Sequence, residues 1–273
     1  MPQSRVYPLI IKKDDPSNLD LLDFSQMNES SETLPLGNSF LLGDSLTDED
    51  ILASQSLPKA VDMRPNMPAI IDQGSLGSCT ACALCGLLGY LKKKQIFSRL
   101  FLYYCERAMI NTINTDSGAY LSDGIKSLSN YGVCLETKWP YIIRKFKDKP
   151  TTDCYIQASS YKALQFKNIN EKIVDLKTIL AAGFPVVCGI AIFKSFESSV
   201  VTKTGVVPMP KLNEALLGGH AILLCGYDDV KKSFLFRNSW GTGWGIKGYG
   251  YLPYEFIEKL DWSTDFYTIL KTT

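Results

Sequence analysis

The chain has a single histidine among its 273 residues, His220. That scarcity excludes a centre built on several imidazoles and assigns any imidazole acid–base step to one position. Long apolar runs are also missing. None approaches the ~18 residues that a membrane-spanning helix needs. The first fifteen residues lack the apolar core of a secretory signal, because Leu9-Ile10-Ile11 is too short. These absences predict a soluble monomer with no membrane partner, made in a reducing, cytoplasmic setting. The net charge is only +1, which gives no reason to expect nucleic acid as a partner. No internal repeat or low-complexity tract occurs. Eight cysteines, at 79, 82, 85, 105, 134, 154, 188 and 225, make an even number, but without a secretion signal a disulfide framework is not expected. Cys79, Cys82 and Cys85 share roughly one helix face, yet no nearby histidine or second CxxC pair completes a metal set. The thiols read mostly as small buried hydrophobes, and neither metal nor organic cofactor is expected. Asn28-Glu29-Ser30 fits a glycosylation sequon that has no consequence without secretion.

What is present is ordinary in bulk and uneven in distribution. Hydrophobic residues at 45% and charged residues at 21% suit a globular chain, long enough for one large domain or two lobes with a substantial core. Residues 1–57 hold ten Asp/Glu against three Lys/Arg, about −7, which leaves 18 acids and 26 bases, about +8, for the rest. An acidic leader and a basic body attract each other. Within the leader, residues 6–11 read as an edge strand, since Pro8 excludes a central one. Residues 34–42 read as extended, and 45–53 as a short helix capped by Thr47. The leader is either a flexible tail or a segment lying across the body as an intramolecular inhibitor.

From about Pro58 the pattern turns globular. Apolar spacing predicts a helix over 79–94, a second capped by Ser98 and running through 109, and a third over 122–131 stopped by Gly132. A fourth helix covers 171–182, ended by Gly183 and Pro185. Then strand signals take over: 186–192, 221–227, 234–238 and 248–252, with a hairpin turn over 228–232. Helices first and strands after, without βαβ alternation, predict an α+β fold of two subdomains, 58–160 mainly helical and 161–273 β-rich.

Four residues carry the chemistry. Cys79 opens a predicted helix, where the partial positive charge of the N-terminus lowers a thiol pKa, and a neighbouring imidazolium lowers it further. Gly74 and Gly77 allow close backbone approach in the preceding loop. His220 lies 141 residues after Cys79, opens an apolar strand and is the candidate base. Asn238 ends the next strand, so its side-chain oxygen can reach the far ring nitrogen of His220 and fix the tautomer. Gln73 offers an amide N–H to a tetrahedral oxyanion beside the Cys79 backbone N–H. Taken one at a time, each has a plainer reading: a core cysteine, a satisfied histidine, a turn asparagine, a loop glutamine.

Together these stretches resemble the papain-like cysteine peptidases. The resemblance rests on Val61-Asp62-Met63-Arg64, Asp72-Gln73-Gly74-Ser75, Gly77-Ser78-Cys79, Trp139-Pro140-Tyr141, Gly219-His220-Ala221 and Asn238-Ser239-Trp240-Gly241-Thr242-Gly243-Trp244-Gly245. It covers about residues 58–273. It implies a helical left lobe, a β-barrel right lobe and a cleft between them that takes protein or peptide substrates. It also implies that Trp240 shields the His–Asn hydrogen bond. Gly118-Ala119-Tyr120-Leu121 is similar to the stretch whose backbone binds extended substrate. Tyr120, Leu121 and Ala221 are then candidates for the S2 pocket, with Gly219 beside them. Two departures matter. Leu76 stands where secreted members have a disulfide cysteine, and Thr80 replaces an aromatic beside the nucleophile, a change expected to alter the primed side of the cleft. No second histidine exists to support a carboxydipeptidase mode, so endopeptidase action is expected. The leader lacks the family's helical pro-region motif, yet its acidity fits a short latency segment cleaved between residues 50 and 58. A silent binding module on the same fold and an acyl transferase or amidase using the same thioester are the rival readings.

Overall fold

The computed structural model describes residues 57–273. The strand and helix expected within the leader lie outside the described residues. The chain begins there with a short strand, β1 (Ala60–Asp62), and reaches its first long helix, α1 (Cys79–Leu91), after an extended loop. α1 is apolar on all sides, and residues 79–89 are all buried, as a helix without a polar face must be. It packs against α2 (Arg99–Met109) and α3 (Leu121–Asn130). Ser98 caps α2 as its sequence predicts, its hydroxyl oxygen accepting from the Phe101 N–H at 3.1 Å. α4 (Thr152–Ala158) closes the helical part.

The second half contributes β2 (Ala163–Asn168), α5 (Ile173–Ala181), β3 (Val186–Phe193), α6 (Ser199–Thr204), β4 (Leu216–Asp228), β5 (Ser233–Arg237), β6 (Tyr249–Pro253), α7 (Tyr254–Ile257) and β7 (Ser263–Thr272). The strands join in the order β2-β7-β3-β4-β5-β6, with β1 paired to β4. All the pairings are antiparallel. The architecture is the expected α+β one, but among the described residues the pairing path has two ends, so the β-rich part is an open sheet in its hydrogen bonding and not a closed barrel. β3 is buried over its first seven residues, as its continuous apolar run requires.

Three differences from the sequence expectation bear on the site. β4 begins at Leu216, not at residue 221, because Gly218 and Gly219 pair with Ile192 and Ala191 and continue the ladder. His220 therefore sits inside the strand. β1 belongs to the sheet although it precedes all the helices, so the boundary at 160/161 is crossed. Its segment is tied down by Arg237, whose guanidinium donates to the Pro68 and Ala69 carbonyls at 2.7 and 2.6 Å. β2 and β7 were not anticipated: β7 mixes polar and apolar residues and is specified by pairing with both β2 and β3.

Candidate active site

Two adjacent strands bring His220 and Asn238 together. Leu223 of β4 pairs with Arg237 of β5, and continuing that register places residue 240 across from residue 220. Asn238 follows the last residue of β5. Its Oδ1 lies 2.8 Å from His220 Nε2 and accepts the Ser239 N–H at 2.8 Å. A backbone N–H can meet only an acceptor, so the amide orientation is fixed. Nε2 then carries the ring proton and Nδ1 holds the lone pair in the neutral ring. The Trp240 ring lies 4.8 Å from the imidazole, tilted by 33°. It is held edge-on by Phe196 and Trp244. His220, Asn238 and Trp240 are all buried, so the hydrogen bond is kept in a dry environment where it is stronger than in water.

Cys79 is the first residue of α1. Its N–H lies outside the helical ladder, as the first four always do. α1 packs on β4, and one influence on the Cys79 thiol is the backbone N–H of Ala221, the strand residue next to His220. The electrostatics differ from the expectation of an acidified thiol. Cys79 is 0% exposed. Burial is the largest influence and pushes its pKa up to about 12, while the Ala221 and Thr80 N–H groups pull the other way with less effect. Desolvation penalises the thiolate more than two N–H groups and a helix terminus favour it.

Gln73 is buried, and its amide is oriented from both ends. Ser239 Oγ donates to Oε1 at 2.6 Å, and Nε2 donates to the Leu76 carbonyl at 3.0 Å. One N–H of the amide has no hydrogen-bond partner among the described residues. The loop bends at Gly74, whose φ of +61° falls in the left-handed region that favours glycine. Its shape is held by the Asp72 carboxylate, which accepts the Gly74 N–H, and by Asp116, which accepts the Gly77 N–H at 3.0 Å.

Of the remaining predicted residues, Gly118, Ala119 and Leu121 are buried, Leu121 as the first residue of α3 and part of the core, while Tyr120 is half-buried. Gly219 and Ala221 are buried in β4. A cavity of about 540 Å³ opens beside Trp240, lined by Ile70, Asp72, Thr202 and residues 241–244; residues 118–121 are not among its walls. Thr80, which replaces the aromatic beside the nucleophile, points into the helical part. It is fully buried, and its hydroxyl donates to Glu106 Oε2 at 2.7 Å inside the helical part. Glu106 itself is pushed well above the usual carboxylate range by burial. Sequence reasoning missed Ser239, whose hydroxyl aims the Gln73 amide; its place directly after Asn238 was the available signal. It missed Arg99, which donates to the Asp72 carbonyl at 3.1 Å, and Asp116, which is itself held by the Tyr103 hydroxyl at 2.5 Å, since nothing local marks them.

Comparison with known proteins gives the family. The papain family cysteine protease model matches residues 57–261. An uncharacterised peptidase C1-like protein of Acanthamoeba polyphaga mimivirus is 40% identical over 77% of this chain and 72% of its own length. Cathepsin K of Gallus gallus is 30% identical over 72% of this chain; the match spans 59% of that relative. Among solved structures, xylellain, a cysteine protease from Xylella fastidiosa, superposes with a TM-score of 0.75 at 37% identity, covering 82% of this chain and 89% of that one. A thiol at a helix start, an imidazole pinned by an amide on the facing strands and a second oriented amide in the preceding loop thus occur in a chain with cysteine-protease relatives. The chain belongs to the papain family of cysteine proteases.

Proposed function

We propose that the chain is a thiol endopeptidase made as a latent precursor. The observation that carries the catalytic reading is the 2.8 Å hydrogen bond from His220 Nε2 to Asn238 Oδ1, which leaves Nδ1 as the basic nitrogen. In the reading, the Cys79 proton passes to His220 as the sulfur attacks the peptide carbonyl carbon. The oxyanion takes the Cys79 N–H and the spare Gln73 N–H. The C–N bond breaks as His220 returns the proton to the leaving amine, and a thioester remains. Water then attacks, gives its proton to His220 and releases the acid as the thiol re-forms. The raised thiol pKa is overcome because both charges form together: a buried thiolate is tolerated when the imidazolium beside it is held by Asn238.

Latency is supported by charge and by burial. Residues 1–57 carry about −7 against about +8 for the rest, and a nucleophile with no exposed surface does not meet a substrate without a rearrangement. All eight cysteines are buried free thiols. The test is labelling with a thiol-reactive epoxide, read by mass spectrometry, on the full chain and on a version starting at Pro58. Labelling of Cys79 alone, lost in His220→Ala and faster in the shorter chain, is expected. Equal labelling of both lengths refutes latency. Labelling scattered over the cysteines, or indifferent to His220, refutes the peptidase reading and favours a binding module on the same fold.

A further inference from the structure

Ser78 occupies the N-cap position of α1, where serine ordinarily accepts a first-turn N–H. Here its side chain makes no cap hydrogen bond. Its Oγ lies 2.6 Å from the Tyr141 hydroxyl, which in turn lies 2.8 Å from the Gln73 carbonyl oxygen. The direction of these bonds follows from valence. A carbonyl only accepts, so the single Tyr141 proton goes to Gln73, and Ser78 must donate to Tyr141. Cys82 Sγ, 3.8 Å from Ser78 Oγ, completes the chain from behind. One hydroxyl thus holds both ends of the loop that carries the Gln73 amide and leads into Cys79.

Tyr141 is itself fixed. The Arg99 guanidinium lies 3.9 Å from its ring centroid and donates to the Asp72 carbonyl at 3.1 Å. Glu136 accepts the Tyr141 N–H at 2.8 Å and pairs with Arg99 at 3.5 Å. The turn 139–141 therefore reaches the loop 73–78 through a tyrosine that touches no reacting atom.

We propose that Tyr141 is a positioning residue for oxyanion stabilisation. Its hydroxyl draws the Ser78 side chain off the start of α1, which leaves the first-turn N–H groups uncapped, and it anchors the Gln73 carbonyl. The inference rests on the peptidase reading above. Without the Tyr141 hydroxyl, Ser78 swings to cap α1 and the Gln73 loop loses its anchor.

The test compares wild type, Tyr141→Phe, and Tyr141→Phe with Ser78→Ala, each as the full chain after limited proteolysis has released the leader. Phenylalanine keeps the ring under Arg99. Three rates or affinities are read: turnover of a fluorogenic peptide, affinity for a peptide aldehyde whose hemithioacetal oxygen needs the oxyanion donors, and alkylation of Cys79 by iodoacetamide, which builds no oxyanion. For Tyr141→Phe, kcat falls about tenfold, less than the roughly 100- to 1000-fold cost of removing an oxyanion donor outright, because the donor is displaced and not lost, with KM within twofold. Aldehyde affinity falls by a similar factor, and alkylation changes less than threefold. Adding Ser78→Ala recovers kcat at least threefold, because no hydroxyl remains to cap the helix. Turnover by Tyr141→Phe within twofold of wild type, a parallel fall of all three readouts, or a double variant no better than the single one overturns the inference. Should Tyr141→Phe not fold, Ser78→Asn decides: a side chain that caps the helix, as the wild-type Ser78 does not, lowers kcat at least tenfold at unchanged or higher melting temperature, and turnover within twofold overturns the inference. A wild type without Cys79-dependent turnover defeats the peptidase reading instead.

Discussion

Replacing Asn238 with alanine tests the proposed pair most directly. Asn238 Oδ1 serves two donors, His220 Nε2 and the Ser239 N–H, both at 2.8 Å and both buried. Removing it strands two buried N–H groups, at about 1–3 kcal/mol each, so stability falls by roughly 2–6 kcal/mol before water relaxes into the space. The effect on activity is separate. A hydrogen bond to a charged group contributes about 1.5–3 kcal/mol, and the ring is charged only when it holds the Cys79 proton. Losing that bond lowers kcat/KM by about 10- to 150-fold. Asn238→Asp is the control. Asn238 Nδ2 makes no hydrogen bond among the described residues, so aspartate forfeits no contact and keeps both acceptor interactions. It should exceed alanine in kcat/KM and move the alkaline limb of the rate profile upward, because a carboxylate favours the imidazolium. The assay is peptide turnover with reductant across pH, alongside urea unfolding to correct for the folded fraction. An alanine variant within twofold of wild type, or an aspartate variant no better than alanine, refutes the reasoning.

The remaining expectations concern stability. Burial lifts Cys82 to about 11 and Cys79, Cys105 and Cys134 to about 12, from an ordinary 9.0. The folded chain keeps protons that the unfolded chain gives up above pH 9. This stabilisation is therefore complete below pH 9 and is lost as pH rises through 11–12. Each such thiol lowers stability by about 1.4 kcal/mol per pH unit in that window. A urea midpoint unchanged between pH 8 and 10 would contradict this. Gly124→Ala would set a methyl 2.2 Å from Leu84 Cδ1 and 2.6 Å from Glu106 Oε1. Overpacking of about 1–3 kcal/mol outweighs a helix-propensity gain of ~1 kcal/mol, so the urea midpoint falls; a variant as stable as wild type would show that Glu106 can withdraw.

The sequence by itself determined which residue supplies the imidazole, because there is only one. It also set the start of α1 at Cys79, the Ser98 cap and the continuous apolar strand β3. These are local properties, written in periodicity, capping residues and composition. The order of Gln73, Cys79, His220 and Asn238 with its flanking motifs was enough to assign the family. Tertiary structure decided the rest. Whether Cys79 is acidic depends on what excludes water from it, and desolvation is a property of the packed neighbourhood, not of a helix start. The fate of Thr80 was set by Glu106, 26 residues away. β1 and β7 became strands through partners elsewhere in the chain. The direction of the Ser78 hydroxyl, away from its own helix, was fixed by Tyr141, 63 residues on. Each of these depends on long-range contacts, and a linear pattern carries no signal for a hydrogen bond or a dielectric boundary that folding alone creates.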